Sequence, residues 1–200
     1  MLRADAEDNR ERVLEAARAL FAERGLEVPM RAIARRAGVG PATLYRRFPS
    51  KQALVDAAFT DELLTCRAIV AEACADPDPW QGLCSFLLRI GELNAQNQGF
   101  TDAFLSRFPN TADFSAHRTG MLSSLAGLWR RAHDAGALRA DLVLDDLVLM
   151  LMAGRGISAP TPELRVVPAR RFSTLAIEAF RVSKADAPLT PSHATRPAVF

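Results

Sequence analysis

Two hundred residues, 49% hydrophobic and 24% charged with a formal net charge of +2, are enough chain to bury a sizeable core in one or two domains. The longest apolar run, Leu147 to Gly154, is eight residues between Asp146 and Arg155, far short of the roughly 18 that a membrane-spanning helix needs; the first fifteen residues hold acids and bases but no apolar stretch of an export signal. Cys66, Cys74 and Cys84, spaced by eight and ten, form neither a CxxC metal pair nor an even disulfide framework, so the expected setting is a reducing cytoplasm without membrane contact.

From Asp8 to Arg24, Val13, Ala17, Leu20 and Phe21 recur at helical spacing, and Gly25 stands where a left-handed cap ends a helix. Pro29 suits the first turn of a second, nine-residue helix whose inward stripe is Met30, Ile33, Ala34 and Ala37, stopped by Gly38. Pro41 opens a third, in which Leu44 and Phe48 face inward with Val39, and Pro49 ends it. Ser50 is placed to cap a long fourth helix running to about Cys74, with Leu54, Ala58, Phe59 and Leu63 on its buried side.

Charge is concentrated on this part of the chain. Residues 1 to 60 hold eleven Arg or Lys against eight acids, and Arg31, Arg35, Arg36, Arg46, Arg47 and Lys51 fall in a stretch with no acid at all. Such a run is either a solvated face or a surface that meets phosphates. Two short helices joined by a glycine-containing turn are the layout of a helix-turn-helix, whose second helix enters the major groove. With Leu44 and Phe48 turned inward, Ala42, Thr43, Tyr45, Arg46 and Arg47 are left outward or sideways, a face suited to reading a groove.

The segments "VLEAARALFAERG" and "IARRAGVGPATLYRRFPSKQALV", at their observed spacing, closely resemble the DNA-binding domain of tetracycline-repressor (TetR) family regulators over Arg10 to about Ala57. The resemblance implies that Tyr45 donates its hydroxyl to a phosphate, that Lys51 pairs with another, and that Ala42 and Thr43 reach base edges or thymine methyls. Arg46 fills a variable position where arginine grips guanine bidentately. Arg31, Gly40, Pro41 and Arg47 complete the expected DNA-binding set. Val28 and Gly40 stand where the family often has threonine and serine, so two hydroxyls are missing.

Beyond residue 60 breaks are expected at Asp76 to Pro79, Phe108 to Asn110, Ala137 to Ala140 and Ser158 to Pro162, leaving room for four or five more helices, about nine in all. Trp80, Leu83, Leu87 and Ile90 form the stripe of a fifth helix, with Asn94 on the same face. Phe104 and Phe108 lie four apart on a short helix. From Ala112 to Asp134, Phe114, Met121, Leu125 and Leu128 align with His117 among them and Trp129 at the edge. Such stripes are more often plain core than the lining of a ligand site. The resemblance implies a cavity for an apolar or aromatic effector, lined by Leu87, Ile90, Asn94, Phe104, Phe108, His117, Met121, Leu125 and Met150. Leu142 to Met152 is apolar on nearly every face, which calls for burial on two sides, and a helix near Arg171 to Val182 adds Phe172, Leu175, Ala176, Ala179 and Phe180. A homodimer contact through Leu147, Leu151, Gly154, Phe172, Leu175 and Ala179 is the expectation.

The fold class expected is therefore all-α: a helix-turn-helix DNA-binding domain (1–50), a larger helical ligand-binding and dimerisation domain (51–183), and a proline-interrupted mobile tail (184–200). Catalysis is not expected. His117, His133 and His193 are far apart, and Gly38-Val39-Gly40 lacks the third glycine of a dinucleotide loop. No cofactor and no metal are expected. The functional reading is a cytoplasmic repressor that binds a palindromic double-stranded operator as a dimer and is released by a small effector. The alternatives are a helical interaction protein, or a DNA-binding activator without an inducer.

Overall fold

A computed structural model describes residues 2–97, 99–101, 112–154, 156–157, 159–182 and 189, with side chains described outside 2–7, 112–118 and 162. The described residues are almost wholly helical: α1 (Leu2–Arg24), α2 (Met30–Ala37), α3 (Pro41–Arg47), α4 (Lys51–Ala58), α5 (Thr60–Ala75), α6 (Pro79–Gln96), α7 (Ala112–Asp134), α8 (Leu144–Gly154) and α9 (Pro162–Phe180). Residues 99–101 are helical as well. The all-α class expected from the sequence holds, and the only pairing of extended backbone among the described residues is one bridge between Leu138 and Arg181.

The chain divides into two compact units, Met1–Leu63 with Gln98–Ser115, and Leu64–Asn97 with Ala116–Phe200. In the first, Val13, Leu14, Ala17, Leu20 and Phe21 of α1 meet Met30, Ile33, Ala34 and Ala37 of α2, Leu44 of α3, and Leu54, Val55 and Ala58 of α4. Phe21, Phe59 and Phe100 pack in series, the first pair tilted and the second edge-on, with ring centroids 6.0 Å apart at each step. Gly99 lies against the α1 backbone, where an added Cβ would come within 3.2 Å of both the Ala22 nitrogen and the Phe59 ring.

Two boundaries differ from expectation. The helix expected to run from Ser50 to Cys74 is interrupted at Phe59, whose φ of −118° and ψ of 21° leave the α region. The interruption fits the packing: Phe59 is buried between Phe21 and Phe100, and Arg18 donates from Nε to the Ala58 carbonyl at 2.7 Å, satisfying an acceptor at the end of α4. The final helix begins nine residues before Arg171, because Thr161 accepts from the Leu164 N–H and Pro162 fills the first turn; Pro168 is carried inside it.

The second unit is organised on α6. Asp78 caps it, accepting from Trp80 and Gln81 N–H at 2.9 and 3.3 Å. Leu83, Phe86, Leu87 and Ile90 are buried along it. Two glycines allow close neighbours. A Cβ on Gly82 would fall 2.3 Å from the Ala73 carbonyl of α5, and one on Gly91 would fall 2.4 Å from Ser173 Oγ of α9. Arg131 of α7 donates to the Cys74 and Asp76 carbonyls, both at 2.8 Å, and so satisfies acceptors at the C-terminal end of α5. Trp129 and Phe180 meet edge to face at 5.8 Å. The tail expected to be mobile lies outside the described residues, except Leu189, whose N–H donates to Asp141 at 2.8 Å.

Candidate nucleic-acid interface

The head is assembled by two short helices meeting at a tight turn. Gly38 adopts φ +67°, ψ 30°, which only glycine takes up without strain, and the Val39 N–H returns to the Ala34 carbonyl at 3.0 Å to close α2. Gly40 is extended and gives α3 its first acceptor, to the Leu44 N–H at 3.1 Å; no side chain caps either α2 or α3. The missing hydroxyls at Val28 and Gly40 thus leave both helices formed. Pro29 precedes α2 as its cap instead of lying in the first turn, and Pro41 is the first residue of α3.

Two apolar anchors fix how α3 faces. Leu44 is 1% exposed and Phe48, extended ahead of Pro49, is 5% exposed. Around these anchors Ala42, Thr43, Tyr45, Arg46 and Arg47 are all exposed, with half of the tyrosine accessible. Neither α2 nor α3 contains an acid. Ser50 then caps α4, its Oγ accepting from the Ala53 N–H at 3.0 Å, which sets the half-buried Lys51 in the first turn. The expected residues Gly40, Pro41, Ala42, Thr43, Tyr45, Arg46 and Arg47 are therefore together on the accessible side of α3. Arg31 is exposed at the start of α2.

The basic stretch is not uniform. Arg36 is held by both Glu23 oxygens of α1, at 2.8 and 2.9 Å, so that charge is spent on joining α1 to α2. A basic residue absent from the sequence expectation, Arg10 of α1, instead lines a cleft between α1 and α3 that also takes in Thr43, Arg46 and Arg47. The available signal was its place one turn before Val13, a core residue of the helix.

The expected effector residues are dispersed. Leu87, Asn94 and Met150 line one cleft of the second unit with Gly91, Leu151, Gly154, Phe172 and Ser173; its volume of about 20 Å³ is room for a water. Ile90, Met121 and Leu125 are buried but are not in that lining. Phe104, Phe108 and the side chain of His117 lie outside the described residues. Of the expected dimer residues, Leu147 is 2% exposed and belongs to the protomer's own core, because α8 turns that side toward α6 and α9. Leu151, Gly154 and Phe172 line the internal cleft, while Leu175 and Ala179 are exposed.

Residues 13–58 match the family model for bacterial regulatory proteins of the tetR family, and residues 78–179, about half the chain, match that for the C-terminal domain of SbtR-like transcriptional regulators. An HTH-type transcriptional regulator of Staphylococcus aureus is 46% identical over 54 residues, a match that spans 26% of this chain and 29% of that protein. Among solved structures, a TetR transcriptional regulator of Streptomyces coelicolor is 29% identical with a TM-score of 0.53, covering 87% of this chain and 99% of that one. The ketosteroid transcriptional regulator KstR2 of Mycobacterium tuberculosis shares the fold, with a TM-score of 0.69 at 20% identity and coverage of 87% and 95%. With an acid-free helix-turn-helix at its head and both family models matched, the chain belongs to the TetR family of transcriptional regulators, DNA-binding proteins rather than enzymes.

Proposed function

We propose that this protein is a cytoplasmic repressor that binds a near-palindromic operator as a homodimer and leaves it when a small apolar or aromatic effector binds the second unit. The observation that carries the reading is the accessible face of α3, held outward by buried Leu44 and Phe48 and free of acids. On this face Arg46 reads guanine, Ala42 and Thr43 touch base edges or thymine methyls, and Tyr45 and Lys51 hold phosphates, with Arg31, Gly40 and Pro41 bordering the contact. Among the described residues no helix is long and apolar enough to cross a membrane.

Dimerisation is supported by apolar surface left open on α8 and α9. Leu149 and Met152 are exposed on one, and Leu164, Val167 and Leu175 on the other. At 100° per residue Leu164, Leu175 and Ala179 share one stripe of α9, the pattern of a helix that meets a second surface. Leu175 and Ala179 keep the role expected of them, with Leu149 and Met152 replacing Leu147 and Leu151 on α8.

Release through the described cleft of the second unit requires that cleft to open. A cleft of about 20 Å³ beside Leu87, Asn94 and Met150 does not admit an effector, whose usual pocket is about 300 Å³ or more, so binding there has to part α6 from α8 and α9. An effector then acts only through its differential affinity for the open and closed forms. Selection of duplexes from a random pool with the purified full-length chain tests the central claim. Enrichment of two inverted half-sites one helical turn apart, about 34 Å, is the expected result. Recovery of no motif overturns it.

A further inference from the structure

Tyr45 and Arg47 lie about 100° to either side of Arg46 around α3. The Arg47 flank opens into the cleft between α1 and α3, whose volume is about 250 Å³. Its polar lining is Asn9 and Arg10 from α1 and Thr43, Arg46 and Arg47 from α3. Asn9 Oδ1 already accepts from Arg12, so what Asn9 has left to offer is chiefly its N–H donors. The rest of the lining is apolar, Val13, Val39 and Leu44, and contains no acid. Three guanidiniums over a partly apolar wall favour an anion, because apolar surroundings strengthen its attraction to the cations. The volume is below the roughly 300 Å³ at which drug-sized ligands begin to fit and suits a compact group such as a phosphate.

A helix lying in the major groove has a sugar–phosphate backbone on each flank. Tyr45 serves one flank. We propose that the α1–α3 cleft serves the other: Arg10, together with Arg47, closes on a phosphodiester of the DNA strand across the groove from Tyr45. Arg10 lies three residues ahead of the stretch 13–58 that matches the family model. The contact assigns Arg47 to positioning, and leaves the reading of bases to Arg46. The inference rests on α3 being the recognition helix.

The test uses the full-length chain, a duplex recovered by selection and a scrambled duplex of equal length, with affinity measured over a series of salt concentrations for wild type, Arg10→Gln, Arg10→Lys and Lys51→Ala. Arg10→Gln is expected to weaken both duplexes by the same factor, on the order of tenfold, and to flatten the log–log salt slope by about 0.9 per head. Arg10→Lys restores most of the slope. An unchanged slope in Arg10→Gln beside a flattened one in Lys51→Ala overturns the phosphate seat and leaves the recognition helix standing. A lost preference between duplexes at unchanged slope makes Arg10 a base reader and equally overturns it. No salt-dependent binding by wild type sinks both readings. Inorganic pyrophosphate, titrated without DNA, separates the source of the phosphate: saturable binding abolished by Arg10→Gln, with duplex affinity untouched, assigns the cleft to a free phosphate compound and not to the DNA strand.

Discussion

Arg46 and Lys51 carry the same charge, yet the proposed function gives them different tasks. Arg46 projects about 160° from the Leu44 anchor, toward what α3 meets, whereas Lys51 sits half-buried in the first turn of α4. Arg46→Ala is therefore expected to reduce discrimination at one base pair of each half-site by about 1–3 kcal/mol while the salt slope changes little. Lys51→Ala should weaken all duplexes alike and flatten that slope by about 0.9 per head. Equal loss of preference in both, measured by competition between selected and scrambled duplexes, would show the roles to be misassigned. The face of α3 was legible in the sequence because Leu44 and Phe48 mark its inner side by spacing alone. Arg36 was not: only the fold shows Glu23 of α1 beside it, since nothing in the spacing of residues 23 and 36 announces that pair. The cysteines make a separate chemical prediction. Burial pushes the Cys66 thiol up to about 12 and Cys84 to about 11, and raises Cys74 as well, so none offers appreciable thiolate at neutral pH. Alkylation at mildly alkaline pH should be slower at all three than for a free thiol and slowest at Cys66, which reacts only on unfolding. Rapid modification of Cys66 in the native protein would contradict its place in the core.

The α4–α5 junction is the element the sequence described least well, and the reason is physical. Leu54, Ala58, Phe59 and Leu63 continue a helical stripe, so periodicity alone runs straight through; the break depends on Phe21 and Phe100 receiving Phe59, and on Arg18 reaching the Ala58 carbonyl. Those partners are tertiary and leave no local mark. By contrast the starts of α4 and α6 and the end of α2 follow Ser50, Asp78 and Gly38, whose capping chemistry is local. Just beyond the break, burial raises the Glu62 carboxyl above its ordinary 4.5; its own backbone N–H and the Arg18 charge pull it down and Asp61 pushes it up, the net being upward. Glu62 Oε2 is buried without a hydrogen-bond partner among the described residues. A carboxyl raised on folding binds its proton more tightly in the native state. Its contribution to stability is thus present in full below pH 4.5 and is lost as pH rises through the raised native value. Glu62→Gln should accordingly stabilise the protein at neutral pH, by about 0.5 kcal/mol once solvent screening is allowed for, and remove that part of the decline. Denaturant midpoints across the acid range decide it: a destabilised Glu62→Gln at neutral pH would mean that the Arg18 attraction outweighs burial.

At the scale of the whole molecule the open question is what covers α8 and α9. Sequence pattern identified α8 as doubly buried but placed its share of the contact on Leu147, Leu151 and Gly154, because a helix that is apolar all round gives periodicity no purchase on which side is which. Folding decides it: Leu147 goes to the protomer core, and Leu149, at 62% exposure, and Leu175, at 55%, are left outside. Side chains of that size left in water each forfeit about 1.5–3 kcal/mol that burial would return. A twofold contact that covers both on each protomer recovers this on both sides of the axis. Replacing Leu175 with Glu puts two carboxylates at such an interface and should convert a dimer into monomers, while the protomer keeps its helical content, since the residue contributes little to the internal core. The consequence for DNA is larger than the local change. In the proposed dimer two heads bind as one bivalent reader, so separating them removes the effective concentration of the second head and should lower operator affinity by about 10²-fold or more without altering the preference of a single half-site. Sedimentation of Leu175→Glu beside Leu147→Ala tells the surfaces apart. If Leu175→Glu remains dimeric, or if Leu147→Ala dissociates at unchanged thermal stability, the partner sits elsewhere than on the open stripe of α9.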